Sequence, residues 1–241
     1  HKCIESLPYV DIIIHLAAYS FVPLSFKTPE VFYRNNYLST LNVLEKARKS
    51  KARVIFFSSY LYGNPHYLPI DENHPLAPHN PYAQSKIICE KLCEGYHRDF
   101  GLPIIIFRPF NIYGPGQNKS FLIPKILEQL KTGDVHLEDS RPRRDFIHVM
   151  DIIGAVIKAI ESGITGYEVF NLGSGKSISI RKLADEIVLL AESHHKVFFS
   201  NIERKGEVLD SVADIRKAKA LLSWEPLINL KDGLRSIIKE R

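Results

Sequence analysis

The sequence predicts an α/β protein: a doubly wound parallel sheet covered by helices, with a smaller C-terminal α/β lobe. Short apolar strand-like runs alternate with long helix-like stretches. Those runs are apolar at consecutive positions, as strands buried on both faces are. Beyond Arg108-Pro109 the elements become shorter and more varied.

Asp11 to Leu16 reads as a buried strand that stops at Ala17-Ala18. Pro29 to Ser50 has apolar residues at Val31, Tyr37, Leu38, Leu41, Val43, Leu44 and Ala47, the period of a helix. Arg53 to Ser58 is the next strand, and Pro81 to Phe100 the next helix, closed by Gly101. Ile104 to Phe107 is a third strand. Past it come helices over Leu122 to Lys131 and Asp151 to Ser162, then a strand over Tyr167 to Leu172 ending in Gly173-Ser174-Gly175. A helix over Ile180 to Ala191, a short strand at Val197 to Ser200 and a helix over Ile215 to Leu222 complete the pattern.

A chain of 241 residues with 45% hydrophobic and 24% charged residues has the composition of an ordinary globular protein able to bury a full core. Its apolar runs are strand-sized and too short to cross a membrane, and no signal pattern opens it, so a cytoplasmic location is expected. The net charge of +5 is spread along the chain without a basic cluster interleaved with aromatics, which argues against nucleic acid as a partner. Cys3, Cys89 and Cys93 form no disulfide framework. Cys89 and Cys93 lack His or Cys partners at ligand spacing, so core packing is expected of them and no metal site is predicted. His15 and His148 read as packed residues, and His194-His195 as cations at a helix C-terminus.

A dinucleotide-binding unit opens with a strand, a Gly-rich turn and a helix N-terminus that receives the pyrophosphate. Nothing of that pattern precedes Asp11, so the sequence reads as starting after it. On that reading the Asp11 strand lacks its usual neighbour, and the chain alone is expected to bind cofactor poorly and to aggregate.

The strongest local signal is Tyr82-Ala-Gln-Ser-Lys86 at the start of a helix, where a spacing of four places both side chains on one face. A free phenol titrates near pH 10, too high for a base at neutral pH. A neighbouring ammonium favours the phenolate and lowers that value. An exposed helix face could carry the same pair without any such role. Ser58 and Ser59 end a predicted strand, the edge at which a parallel sheet presents its functional loops.

Together these segments have a family resemblance. Phe57-Ser-Ser-Tyr-Leu-Tyr-Gly63, with Asn80-Pro-Tyr-Ala-Gln-Ser-Lys86, resembles the catalytic region of the nucleotide-sugar epimerases and dehydratases, extended short-chain dehydrogenase/reductases with a Rossmann-type sheet. Asp11-Ile-Ile-Ile-His-Leu-Ala-Ala18, Asn35-Asn36, Arg108-Pro-Phe-Asn-Ile-Tyr-Gly-Pro115, Arg143-Arg-Asp-Phe-Ile-His-Val-Met-Asp151, Asn171-Leu-Gly-Ser-Gly175, Arg204-Lys-Gly-Glu207 and Leu222-Ser-Trp-Glu-Pro226 follow the family's order. The resemblance implies Ser58, Tyr82 and Lys86 as catalytic residues. It implies Leu16, Ala17, Ala18, Asn36 and Pro109, with Tyr82 and Lys86, against an NAD cofactor, NADP remaining open without the Gly-rich segment. Asn36 would brace the active-site backbone. Ser58, Asn111, Leu122, Arg144, Arg204 and Glu207 would meet the nucleotide-sugar, the arginines on its diphosphate and Glu207, in place of the usual aspartate, near its ribose. The implied dinucleotide domain comprises 1–112 and 145–175, incomplete at its start, and the substrate domain 113–144 and 176–241. A homodimer through the helices beginning at Pro29 and Pro81 is likewise implied.

Family dehydratases place carboxylates just after the catalytic Ser or Thr; here those positions are Ser59 and Tyr60. A 4-epimerase working through a 4-keto sugar is therefore the leading expectation, a 4-keto-sugar reductase the next, and a 4,6-dehydratase the least supported. A nucleotide-sensing scaffold on the same fold is the non-enzymatic alternative. It would have no need of Ser58, Tyr82 and Lys86 together.

Overall fold

The computed structural model describes residues 8–203 and 207–239. Cys3 and Arg204 lie outside the described residues. In chain order the elements are β1 (Ile12–His15), α1 (Val22–Lys27), α2 (Pro29–Ser50), β2 (Arg53–Phe57), α3 (Pro81–Phe100), β3 (Ile104–Pro109), β4 (Asn111–Tyr113), α4 (Leu122–Gln129), β5 (Val135–Leu137), β6 (Arg143–His148), α5 (Val149–Glu161), β7 (Tyr167–Leu172), β8 (Ser177–Ser179), α6 (Ile180–Leu190), β9 (Val197–Phe199), α7 (Arg216–Leu222) and α8 (Leu230–Lys239).

The main sheet is parallel throughout, in the order β1-β2-β3-β7. Because side chains alternate across a strand, its apolar runs feed two cores. Val54, Phe56, Ile104 and Ile106 point to one face, where they meet Val43, Leu44 and Ala47 of α2 and Cys89 and Cys93 of α3. Ile55, Ile105, Phe107 and Phe170 point to the other, against Ile152, Ala155 and Ala159 of α5. Helices thus cover both faces, the doubly wound arrangement expected, and the two cysteines are packing residues. Among the described residues β1 is an edge strand, with Ile14 and Leu16 exposed.

Local signals place α3, the helix that matters most for the site. Asn80 caps it, its Oδ1 accepting from the Ala83 N–H at 2.8 Å, and Pro81 occupies its first turn. Gly101 ends it in the left-handed region at φ 66°.

A third core holds Tyr113, Ile123, Ile126 and Leu127 with Val135 and Leu137, Leu183 and Ile187 of α6, and Leu234 and Ile237 of α8. It belongs to the C-terminal lobe. Residues 216–224 pack elsewhere: Ala218, Leu222 and Trp224 join the core on the α5 face of the main sheet, so one stretch of the expected substrate domain returns to the first. Asp151 holds that return in place. Its carboxylate accepts from the Leu227 and Ile228 N–H groups, and its carbonyl accepts from Trp224 Nε1 at 2.9 Å.

The histidine pair differs from expectation. α6 ends at Leu190, so His194 and His195 follow it in a loop, and His195 Nδ1 lies 3.5 Å from Asp134. No helix among the described residues is long and apolar enough to cross a membrane. No three His, Cys, Asp or Glu side chains gather among them as a metal cluster would require.

Candidate active site

The loops leaving the C-terminal ends of β1, β2 and β3 open onto one cleft of about 770 Å³, closed on its far side by the second lobe. Its size is that of a small-molecule site, and its place at the carboxyl ends of parallel strands is where such folds bind ligands. Ser58, Tyr82, Lys86, Pro109, Asn111, Leu122, Arg144 and Glu207 all line it, as do Leu16 and Ala18. Ala17 and Asn36 do not.

Asn36 sits behind the wall, 1% exposed, and joins two parts of it. Its side-chain oxygen accepts from the Tyr19 N–H at 2.8 Å, and its amide donates to the Tyr19 carbonyl (3.1 Å) and to Ser85 Oγ (2.9 Å). Ser85 in turn donates to the Tyr82 carbonyl at 2.7 Å. One buried amide thereby registers the loop after β1 against the first turn of α3. Asn36→Ala strands several buried polar groups. The expected result is a loss of about 2–4 kcal/mol in urea denaturation, with lower turnover; unchanged stability would refute the bracing role.

The Tyr82 ring packs edge-on against Phe32 of α2, centroids 6.5 Å apart, and Phe32 packs on Tyr19. Lys86, one turn along α3, is 3% exposed and lies over the Phe56 ring, 4.1 Å from its centroid. Burial disfavours its charged form and pulls its pKa down to about 8. His15 stands nearby, its Nε2 3.1 Å from Thr40 Oγ1, and burial together with the Lys86 charge lowers it to about 4. It is a neutral, hydrogen-bonded core histidine.

Burial raises the Tyr82 pKa, and the neighbour that opposes the rise is the Ser59 hydroxyl, where the sequence pointed to the Lys86 ammonium. The physical reason is desolvation: closing helices over the ring removes the water that would stabilise a phenolate. Ser58 Oγ is buried without a hydrogen-bond partner among the described residues.

At the other end of the cleft Arg144 meets Glu207 in an ion pair and also donates to the carbonyls of Arg143 (2.8 Å) and Val208 (2.5 Å). The expectation gave these two side chains separate duties, diphosphate and ribose; here they face each other across the cleft wall. Asn111 is anchored through its amide to the Asp145 carbonyl at 3.1 Å. Asp145, fully buried, accepts from the backbone of Ser174, Gly175 and Ala213 and from Ser174 Oγ, which ties the turn after β7 to β6 beside the site. Tyr60, Phe121 and Lys125 also line the cleft and were not anticipated. For each a signal existed: Tyr60 lies two residues after Ser58, and Phe121 and Lys125 lie beside and one turn from Leu122.

The family described as GDP-mannose 4,6 dehydratase matches residues 4–237, nearly the whole chain. The chain belongs to the nucleotide-sugar epimerase and dehydratase family. A UDP-glucose 4-epimerase from Halalkalibacterium halodurans is 34% identical over 242 residues, covering 90% of this chain and 71% of the relative. Among solved structures, a UDP-glucose 4-epimerase from Thermotoga maritima with UDP-glucose superposes with a TM-score of 0.93 at 30% identity, covering 99% of this chain and 79% of that one. The dTDP-glucose 4,6-dehydratase DesIV from Streptomyces venezuelae, with NAD bound, gives a TM-score of 0.90 at 29% identity, covering 99% of this chain and 75% of that one.

The family's cofactor can be tested against these residues. A buried hydroxyl without a partner (Ser58), a buried ammonium resting only on a ring face among the described residues (Lys86) and the Tyr82 phenol line one cleft. That donor set keeps capacity for ribose hydroxyls and a sugar oxygen, so it fits the nicotinamide end of NAD.

Proposed function

We propose that this chain performs the chemistry of a nucleotide-sugar 4-epimerase that works through a transient 4-keto sugar. The observation that carries the reading is the convergence of Ser58, Tyr82 and Lys86 on one cleft whose next wall positions, Ser59 and Tyr60, hold no carboxylate. Elimination of water needs a further acid and base there; inversion does not.

Leu16, Ala18 and Pro109 would flank NAD, with Ala17 in the same loop and Asn36 bracing it from behind. When bound, the nicotinamide would supply reversible hydride chemistry at the sugar carbon. Tyr82 takes the proton from the sugar 4-hydroxyl and gives it back after the ketone has turned over. Lys86 holds ribose hydroxyls and keeps positive charge beside the phenol. Ser58 Oγ donates to the same sugar oxygen and stabilises charge developing on it. Arg144 exchanges its contact with Glu207 for the diphosphate, to which a guanidinium fork is well matched, and Glu207 is released toward the ribose. Asn111 and Leu122 border the sugar, with Arg204 as a second diphosphate ligand. Residues 1–112 and 145–175 serve the dinucleotide and 113–144 and 176–241 the substrate, apart from the stretch that returns to the main sheet. Tyr37 and Leu38 of α2 and Ile88 of α3 are exposed apolar residues suited to a homodimer contact.

The test is incubation of the protein and NAD with UDP-, GDP-, dTDP- and CDP-hexoses, with product configuration read by NMR. The expected result is a 4-epimer without accumulation of reduced cofactor. Formation of a 4-keto-6-deoxy sugar, or stoichiometric reduction of a 4-keto sugar supplied together with NADH or NADPH and without inversion of the parent hexose, would replace this reading with dehydratase or ketoreductase.

A further inference from the structure

Tyr60 stands in the cleft at the second position after Ser58, in place of a carboxylate. Its ring is held on several sides. It packs edge-on against Tyr62, centroids 5.6 Å apart, and against Phe110, centroids 5.2 Å apart. Its hydroxyl donates to the Gly63 carbonyl at 2.7 Å. Gly63 has a left-handed φ of 63°, and a Cβ there would strike the Ala77 carbonyl, so the turn receiving that hydrogen bond requires glycine. With its polar end committed to a residue that does not line the cleft, Tyr60 presents carbon to the cavity.

The ring also has an address along the cleft. Ser58 and Tyr82 mark the reacting end and Arg144 the anionic end, and the Tyr60 phenol feels the Arg144 charge while burial raises its pKa. A nucleotide-sugar laid between those ends places its pyranose beside Tyr60. Pyranose rings carry C–H groups on their faces, and a rigid aromatic offers these dispersion contact without entropy to lose.

Resting on the reading above, we propose that Tyr60 is a specificity-determining residue, an immobilised aromatic wall of the sugar subsite that packs on the C–H face of a nucleotide-linked hexose and contributes nothing to the nucleotide. Its hydroxyl serves only to lock the ring.

Calorimetric titration with UDP-glucose, and with UDP as the sugar-free control, separates the possibilities. Wild type is expected to bind UDP-glucose more tightly than UDP. Tyr60→Ala should weaken UDP-glucose roughly tenfold and leave UDP unchanged, while Tyr60→Phe, which keeps the ring, should hold UDP-glucose affinity within about twofold. Tyr60→Leu, which fills most of the volume, guards against a fold defect and should fall between the two. Equal losses for UDP and UDP-glucose, no loss in Tyr60→Ala, or a Tyr60→Phe variant as weak as Tyr60→Ala would each overturn the proposal while leaving the family's site intact. Where the wild type prefers another nucleotide, that nucleotide-hexose and its diphosphate replace the UDP pair, and a wild-type protein that binds none of the UDP, GDP, dTDP or CDP pairs would overturn the nucleotide-sugar reading and this proposal together.

Discussion

Replacing Tyr82 with phenylalanine is expected to lower turnover by roughly 10²- to 10⁴-fold, the range for loss of a positioned acid–base group. The ring survives the change, so its edge contact with Phe32 and the Ser85 bond to its carbonyl persist, and nucleotide-sugar affinity should hold. The pH profile carries a second signature. Lys86 has a folded pKa lowered to about 8 from the ordinary 10.5, so its charge leaves the site as pH rises through about 8. Turnover should fall across that interval. Stability should move the other way: between about 8 and 10.5 the unfolded chain binds a proton that the folded chain does not, and stability rises with pH there. A profile that is flat from pH 7 to 10 in both quantities would contradict the placement of Lys86.

The second large effect concerns a pair that touches no ligand. Arg108, at the end of β3, donates from Nε to Glu90 Oε1 at 3.0 Å and from its terminal nitrogen to Oε2 at 2.6 Å, both side chains less than a tenth exposed. The same guanidinium reaches Tyr62 Oη at 3.1 Å and the Glu72 carbonyl at 3.3 Å. Glu90 lies one turn after Lys86, so this network fastens the reactive face of α3 to the strand end that carries Pro109. Glu90→Ala leaves a buried guanidinium uncompensated and is expected to destabilise by about 3–5 kcal/mol in chemical denaturation. The double substitution Glu90→Met with Arg108→Met removes both charges and should recover much of that loss. Equal instability in the single and double variants would show that packing, not charge, is what Glu90 supplies.

The main sheet was legible in the sequence because its inner strands, β2 and β3, are buried on both faces. Runs such as Ile104 to Phe107 cannot be anything exposed, and α2 and α3 begin at Pro29 and Pro81 and end by Ser50 and Phe100, as their punctuation indicates. The elements that escaped reading are short or half-exposed. β4, β5 and β8 are three residues each, too brief to show a period, and α1 is a six-residue turn of helix. β6 is hidden because Arg143 and Arg144 interrupt its apolar pattern: Arg143 reaches Ser177 and Asp210, and Arg144 lines the cleft. α8 follows the Trp224-Glu225-Pro226 punctuation and holds the lobe together through Leu234 and Ile237.

The site was legible as a set of residues but not as an arrangement. Ser58, Tyr82, Lys86 and Arg144 line one cleft, and their residue types explain why they were noticed. Spacing on a helix could not reveal that burial raises the Tyr82 pKa, that Ser59 is the hydroxyl beside the phenol, or that Glu207 engages Arg144. Those depend on chain segments far apart in sequence, brought together by folding.

The central claim is that Tyr82 moves a proton on a sugar oxygen while hydrogen leaves and rejoins the same carbon. Conversion of the nucleotide-hexose accepted in the panel, labelled with deuterium at C4, followed by NMR of the product, tests it most directly. The account predicts a 4-epimer that keeps its deuterium at C4, formed by wild type and absent with Tyr82→Phe. Deuterium lost to solvent, or labelled epimer formed at full rate by Tyr82→Phe, would contradict it.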